Sequence, residues 1–191
     1  MTTIERNLKG KHILGDAQVS GDAWVSGDAR VSGNALVFGN ALVSGDAWVS
    51  GNARVSGDAW VSGNALVCGN ALVCGDARVS GNAQMYGNAL VCGNARVYGN
   101  ALVCGNALVD GNGLIEKTSD YLVIGPAKSS GRFTTAHKDS KIGVRVNCGC
   151  FSGTVKEFSE AIEKTHKDNK EHFEQYRLFC QLIAFNFGVT E

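Results

Sequence analysis

The stretch Gly15-Asp16-Ala17-Gln18-Val19-Ser20 begins a six-residue repeat that decides the fold. The pattern Gly-(Asp/Asn)-Ala-x-Val, followed most often by Ser or Cys, runs through sixteen copies without a gap. The last copy is Gly105-Asn106-Ala107-Leu108-Val109-Asp110, and valine is replaced only once, by Met85. A short fixed period of this kind predicts a parallel β-solenoid in which each repeat contributes one strand.

Each position of the repeat has a physical role. Side chains alternate between the two faces of a strand, so an inward valine leaves its neighbours, x and Ser/Cys, pointing outward. Alanine is small enough to fill a corner of the interior. Glycine and Asp/Asn suit the turn, because they tolerate a positive φ.

Written from valine, the unit Val-Ser-Gly-Asp-Ala-x resembles the hexapeptide pattern of left-handed β-helices. The resemblance implies a left-handed winding with three hexapeptides in each triangular coil. Sixteen repeats then make about five coils and a prism roughly 25 Å long.

A coil of 18 residues stacks residues 18 apart. Asn dominates one such turn column, in which stacked Asn amides can hydrogen-bond while stacked Asp would repel. We therefore expect an asparagine ladder through Asp16, Asn34, Asn52, Asn70, Asn88 and Asn106.

The sixteen outward x residues are seven Leu, three Trp, four Arg and two Gln. Apolar columns of this extent usually mark an interface, so we predict either self-association, as a dimer or trimer, or coverage by another part of the chain. The other interpretation is that leucine serves only as a strand former. The predicted interface residues are Trp24, Leu42, Trp48, Trp60, Leu66, Leu72, Leu90, Leu102 and Leu108.

Many hexapeptide-repeat proteins are acyltransferases, and the resemblance would imply a general-base His and loops that project from the coils. The array has no inserted residue, and no His lies between Ile13 and Ala136. The three His that bind zinc in γ-type carbonic anhydrases of this fold are missing too, and Cys74 and Cys92, one coil apart, have no further ligand at hand. We therefore predict a scaffold that is not an enzyme and has no cofactor or metal.

The repeat ends near residue 116, and the composition then changes. We predict an N-terminal cap at 1–14, the β-helix at 15–116 and an α+β module at 117–191. Strands are predicted at Tyr121–Ile124, Arg132–His137 and Ile142–Cys148. A capping box at Thr154-Val155-Lys156-Glu157 begins a first helix, and a second follows Asp168-Asn169.

The segments IGPAKSSGRFTTAHKD, VNCGCFSGTVKEF and EKTHKDN of this module resemble a module of phage and prophage proteins. Those proteins are loosely described as hexapeptide-repeat or polymer-forming. The resemblance covers residues 121–187 and implies an origin in a mobile element, without an activity to transfer.

One part of the module suits an anion. A helix N-terminus near Ser152-Gly153-Thr154 offers free N–H groups and a favourable dipole. Basic and hydroxyl residues that we expect to converge there are Lys128, Ser129, Ser130, Arg132, Thr134 and Thr135. A phosphate or nucleotide-like ligand is one interpretation, and a plain helix cap is the other.

Two further interpretations concern the cysteines of the module. Cys148 and Cys150 with His137 or His166 form a possible zinc set, although the usual two-residue spacing between the cysteines is absent. Cys150 paired with His166 as a nucleophile is the less favoured interpretation. His166 alone suits the C-terminus of a helix.

Composition limits the classes of partner. The 18 basic and 18 acidic residues balance, which argues against a nucleic-acid or membrane-surface protein. The seven cysteines show no disulfide pattern, and no apolar segment is long enough to span a membrane. We therefore predict a cytoplasmic protein, located in the host cytoplasm if a phage encodes it. The main hypothesis is a self-associating scaffold, and the alternative is a phage counter-defence protein that sequesters a nucleotide-like ligand or inhibits a host protein.

Overall fold

The chain folds into two compact units. A computed structural model describes residues 12–128 and 130–190. One unit ends at Thr118 and the other begins at Ser119. Most of the cap predicted at 1–14 lies outside the described residues.

Over residues 12–118 the first unit is a solenoid of eighteen short strands, β1–β18 in chain order, arranged in three parallel sheets that we call faces 1, 2 and 3. Face 1 contains Ile13–Gly15, Arg30–Gly33, Trp48–Val49, Leu66–Val67, Gln84–Met85 and Leu102–Val103. Face 2 contains Gln18–Val19, Leu36–Val37, Arg54–Val55, Leu72–Val73, Leu90–Val91 and Leu108–Val109. Face 3 contains Trp24–Val25, Leu42–Val43, Trp60–Val61, Arg78–Val79, Arg96–Val97 and Leu114–Ile115.

Consecutive strands of each face are 18 residues apart, as predicted. Leu72 pairs with Leu90, and Leu90 with Leu108. The solenoid has six coils rather than about five, because an imperfect repeat is added at each end. Ile13 pairs with Val31 at one end, and Leu114 pairs with Arg96 at the other. The left-handed winding stays a prediction.

The interior consists of stacked valines and alanines. From Val31 to Val109 the inward valines are fully buried, and Met85 is accommodated in the same column. Backbone amides connect the coils: the amide of Leu72 donates to the carbonyl of Ala89 over 2.9 Å. The period-six pattern therefore produces a dry core and a continuous ladder of hydrogen bonds.

The turn glycines are required for two reasons, which Gly69 illustrates. Its φ is +73°, in the left-handed region that side chains rarely adopt. A Cβ there would also lie 2.9 Å from the backbone nitrogen of Gly87 in the next coil. The close approach of successive coils thus depends on glycine.

The predicted asparagine ladder is confirmed from Asn34 to Asn106. Asn34, Asn52, Asn70 and Asn88 each donate a side-chain amide to the next member of the column, over 3.1–3.2 Å, and Asn106 accepts the last bond. A second turn column contains the same contacts, from Asn64 through Asn82 to Asn100.

The second unit contains an antiparallel sheet in the order β19-β20-β21-β22 and two helices. The strands are β19 at Tyr121–Ile124, β20 at Thr134–Asp139, β21 at Gly143–Cys148 and β22 at Phe151–Gly153. A 3-10 turn at Thr118–Asp120 precedes β19. The sequence predicted three strands. The prediction missed β22, which follows a tight turn at Cys148-Gly149-Cys150 and pairs with β21. The predicted second strand ended at His137, whereas β20 continues to Asp139 because it pairs with β21 over that length.

Both helices begin where the sequence predicts. Helix α1, Val155–His166, has the full capping box between Thr154 and Glu157, and helix α2, Lys170–Phe187, is capped by Asn169. The sheet and the helices enclose a core whose buried residues include Val146, Phe158 and Ile183. Neither α1 nor α2 is long and apolar enough to cross a lipid bilayer, and the same holds for every other helix in the described ranges.

Candidate functional site

The outward columns of the solenoid are the first candidate surface. All nine predicted interface residues lie on the outer side of a face, three on each face. The six leucines among them are half-buried by their stacked neighbours, whereas Trp24, Trp48 and Trp60 are 49%, 46% and 40% exposed.

Hydrogen bonds hold two of these tryptophans in place. The indole nitrogen of Trp48 donates to the hydroxyl of Ser32 over 2.9 Å, and that of Trp60 donates to Ser44 over 3.3 Å. Arg78 lies over the Trp60 ring, 5.6 Å from its centroid. An aromatic ring whose polar atom is already bonded presents an ordered apolar surface to a partner.

Each face changes character along its height. On face 2, Leu72, Leu90 and Leu108 stack without an intervening charge, whereas Arg54 separates them from Leu36. On face 3, Trp24, Leu42 and Trp60 are followed by Arg78 and Arg96 in the same column. Face 3 thus combines an apolar half with a cationic half.

Cys74 and Cys92 are vertical neighbours beside the leucines of face 2, as predicted. Burial raises the pKa of the Cys92 thiol to about 11, and Cys74 and Asp110 beside it act in the same direction. Burial also raises the pKa of Cys74, against a hydrogen bond with Cys92. Both cysteines are therefore protonated thiols at neutral pH.

At the helix N-terminus predicted to bind an anion, a carboxylate is already present. One oxygen of Glu157 accepts hydrogen bonds from the Thr154 amide, over 2.7 Å, and from its hydroxyl, over 2.9 Å. These bonds lower the pKa of Glu157 below its ordinary value. A Cβ on Gly153 would meet the same carboxylate at 2.7 Å. The local geometry favours the plain cap over an anion site.

The other residues expected at the anion site are dispersed. Thr134 and Thr135 are buried in β20, and Ser129 lies outside the described residues. Lys128 lies 3.5 Å from Glu171, and Ser152 accepts a hydrogen bond from Arg145. Ser130 bonds the phenol of Tyr176 over 2.7 Å. Arg132, the remaining member, lies at a different site.

That site is a pocket of about 130 Å³ within the second unit. Its apolar walls come from α1 and β22 and include Phe151, Phe158, Ala161 and Ile162. Its polar lining includes Arg132, Cys150, His166 and Tyr176. The rings of Phe151 and Phe158 are 5.1 Å apart, and His166 stacks on Tyr176 at 5.5 Å with an angle of 17°.

Electrostatically the pocket is neutral to cationic. No Asp or Glu side chain from residues 12–128 or 130–190 lines it, and no carboxylate in those ranges pairs with the guanidinium of Arg132. Desolvation lowers the pKa of His166, and the nearby His172 and Arg132 lower it further. The helix dipole expected to favour charged His166 is therefore outweighed, and the imidazole is neutral at pH 7.

Of the residues proposed as zinc ligands, only His137 lies apart from the others in the structure. Cys148, Cys150 and His166 line the same pocket, but His137 is buried in β20, where its ring nitrogens contact the Lys138 carbonyl and the Asn147 amide. Within residues 12–128 and 130–190, no three His, Cys, Asp or Glu side chains are grouped closely enough to hold a metal ion.

Sequence reasoning missed a second apolar stripe on α2. Leu178, Leu182 and Phe185, at i, i+4 and i+7, are exposed on one side of the helix, and Phe185 is 87% exposed. The opposite, core-facing side of α2 contains Tyr176, Cys180 and Ile183, which are buried. The helical spacing of the outer stripe was available in the sequence, but α2 is apolar on several sides.

Comparison with known families supports the solenoid. A family model described as the YdcK beta solenoid repeat matches residues 17–33, 29–45, 37–51, 47–63, 71–87, 89–105 and 95–111, all of which lie in the first unit. A search among curated proteins gave no match. The repeat array is thus similar to the YdcK β-solenoid repeat, and the chain contains a repeat β-helix followed by a small α+β unit.

Proposed function

We propose that this protein is a non-enzymatic scaffold that forms a dimer or trimer through the outer columns of its solenoid. The observation that carries the proposal is the set of exposed tryptophans on rigid strands, two of them fixed by hydrogen bonds. An ordered aromatic anchor loses little conformational freedom on association, which makes it a favourable interface residue.

The leucine column of face 2 supports the same role. Leu72, Leu90 and Leu108 form a continuous apolar strip, and the raised pKa values of Cys74 and Cys92 beside it keep both thiols uncharged, next to Asp110 at the end of the strip. A strip of one chemical character is self-complementary, as a two-fold interface requires. The gap-free array also supports a structural role, since its turns carry no inserted loop in which to assemble a catalytic site.

The stripe Leu178-Leu182-Phe185 supports an oligomerising role for the C-terminal unit. Three large apolar side chains at helical spacing, exposed along about two turns, match the pattern that helices use to pair. A second copy of the same helix presents an identical stripe, so the unit would reinforce contacts made by the solenoid.

Sedimentation velocity with surface variants tests the proposal. Leu72→Glu/Leu90→Glu places two charges in the face 2 strip, and Leu182→Glu places one in the α2 stripe. Gln18→Glu adds a charge at an outward position outside both strips and serves as the control. We expect the face 2 variant to dissociate the oligomer at concentrations at which the control remains associated. Unchanged assembly in both strip variants, with folding verified by circular dichroism, would count against the proposal.

A second candidate function is a phage counter-defence protein that sequesters a nucleotide-like ligand or inhibits a host protein in the host cytoplasm. The resemblance of residues 121–187 to a phage module supports the origin. Arg132 at the pocket supports ligand binding, because no carboxylate of residues 12–128 or 130–190 forms an ion pair with it. Calorimetry with nucleoside mono- and diphosphates tests it, with Arg132→Ala and Thr154→Ala as comparison variants. Heat that disappears with Arg132→Ala would favour sequestration, and an absence of heat with every nucleotide would count against it.

A further inference from the structure

The pocket between β22 and the two helices is not needed for a scaffold. It lies wholly within the second unit, so it would be present in a monomer as well as in an oligomer. Its apolar lining is partly open to solvent, and a ligand that covers this lining would remove apolar surface from water.

The volume of the pocket limits the size of the group that it encloses. At about 130 Å³ it is comparable to an engineered apolar cavity of about 150 Å³ that accommodates benzene. One six-membered ring fills such a space, and because the pocket is partly open to solvent, the rest of a larger ligand would lie outside it.

Its walls favour a flat apolar group. Phe151 and Phe158 meet at 5.1 Å with an interplanar angle of 40°, and Phe158 meets Tyr176 edge-on at 6.1 Å. Aromatic side chains that surround a cavity pack against a planar ring in offset or edge-to-face geometry. The hydrocarbon surface of Ile162 completes the apolar side.

The charge distribution specifies the other end of the ligand. Arg132 lies in the lining, and its side chain packs against Gly149, where an added Cβ would lie 2.9 Å from Nη1. The planar fork of a guanidinium matches a carboxylate or phosphate in two parallel hydrogen bonds. Because no carboxylate within residues 12–128 or 130–190 pairs with this guanidinium, a ligand anion would supply the missing charge.

We propose that the pocket binds a small molecule built from one planar ring and one carboxylate or phosphate group, with the ring on Phe151 and Phe158 and the anion on Arg132. This inference shares with the second candidate function the pocket and Arg132 as the anion-binding residue, and it differs in the class of ligand, a single ring rather than a nucleotide. It is independent of self-association.

Titrations of the full chain, followed by amide resonances in NMR and by calorimetry, test the proposal. The probes are benzoate, phenyl phosphate, benzyl alcohol, inorganic phosphate and adenosine monophosphate. We expect benzoate or phenyl phosphate to shift the amides of Gly149 and Gly153 and to leave Gly69 in the solenoid unchanged. Benzyl alcohol and inorganic phosphate each lack one of the two required groups and should bind at least about 10-fold more weakly.

Three variants identify the site. Arg132→Gln should weaken binding by roughly 10-fold or more, because it removes charge-assisted hydrogen bonds. Lys128→Gln removes the same charge from an exposed residue outside the pocket and should leave affinity unchanged. Ala161→Leu fills the cavity from α1 with a good helix former and should abolish binding.

Several results would overturn the proposal. These are no shift of Gly149 and Gly153 with either ring-bearing anion, equal affinity in Arg132→Gln, or equal affinity for inorganic phosphate and phenyl phosphate. Adenosine monophosphate binding more tightly than phenyl phosphate would refute the single-ring class and favour nucleotide sequestration. If benzoate binds and none of the nucleotides binds, the result would support the proposed ligand class and refute nucleotide sequestration.

Discussion

Asn70 donates its side-chain amide to the side-chain oxygen of Asn88 over 3.1 Å, although the two residues are 18 positions apart in the chain. Asn52 makes the same contact to Asn70 from the preceding coil. Each interior member of the column therefore donates one bond and accepts another, which only an amide side chain can do at this position. The ladder links sequence periodicity directly to the stacking of coils.

Replacing Asn70 by Asp should destabilise the solenoid. Asp retains the bond from Asn52 but loses the donor to Asn88 and places two acceptor oxygens together, which costs about 1 kcal/mol or more. Urea unfolding at pH 7 measures the change. Asn106→Asp is the matched control, because Asn106 is the last acceptor of the ladder and keeps its bond from Asn88. Equal effects of both substitutions would refute the ladder as a source of stability.

Gly69→Ala should be far more damaging than Gly105→Ala. Both glycines have a φ near +70°, so both substitutions incur a similar strain of roughly 1–2 kcal/mol. Only at Gly69 does the new Cβ lie 2.9 Å from a backbone atom of the next coil, whereas nothing lies within 4 Å at Gly105. Urea denaturation should therefore show a clearly larger loss for Gly69→Ala. Matching losses would mean that the coils do not approach as closely as described.

A buried ion pair should stabilise the C-terminal unit. Asp139 is fully buried, lies 2.7 Å from the Arg145 Nε atom and accepts the backbone amides of Lys141 and Ile142. Asp139→Asn removes the charge opposite Arg145 and should cost about 2–3 kcal/mol in thermal or urea unfolding of this unit. Glu174→Gln breaks an exposed ion pair with Arg177 and should cost less than about 0.5 kcal/mol. An Asp139→Asn variant with the same free energy of unfolding as the original protein would contradict this assignment.

The thiol of Cys92 should resist alkylation at mildly alkaline pH. With its pKa raised to about 11, Cys92 is protonated at pH 8 and has roughly 100-fold less thiolate than an ordinary cysteine. The raised pKa also means that its reactivity should increase as the pH approaches 11. Iodoacetamide labelling followed by peptide mass spectrometry should modify the exposed Cys150 first and Cys92 much later. Labelling of Cys92 as fast as Cys150 at pH 8 would contradict its burial.

The solenoid could be predicted in detail because its contacts follow from one local period. Valine at every sixth position determines what is buried, and the 18-residue spacing places Asn70 beside Asn88 without further information. Only the coil count required the structure, because Ile13 and Leu114 belong to imperfect repeats whose pairing depends on their neighbours.

The C-terminal unit was less predictable because its geometry depends on non-local pairing. The strand Phe151–Gly153 is only three residues long and exists because it pairs with β21. The same pairing places Gly149 against Arg132 and so forms the pocket. The predicted capping box at Thr154 and Glu157 already implied that the Glu157 carboxylate bonds the Thr154 amide, and the structure shows it in the position expected for an anion.

The most direct test of the proposed scaffold role is the mass of the intact protein in solution. Sedimentation equilibrium over a range of concentrations should give a dimer or trimer of the 20.1 kDa chain. Trp48 lies on face 1 and Trp24 and Trp60 on face 3, so a blue shift of tryptophan fluorescence should accompany assembly through face 1 or face 3. A folded monomer at all concentrations, with fluorescence independent of concentration, would contradict self-association through the solenoid.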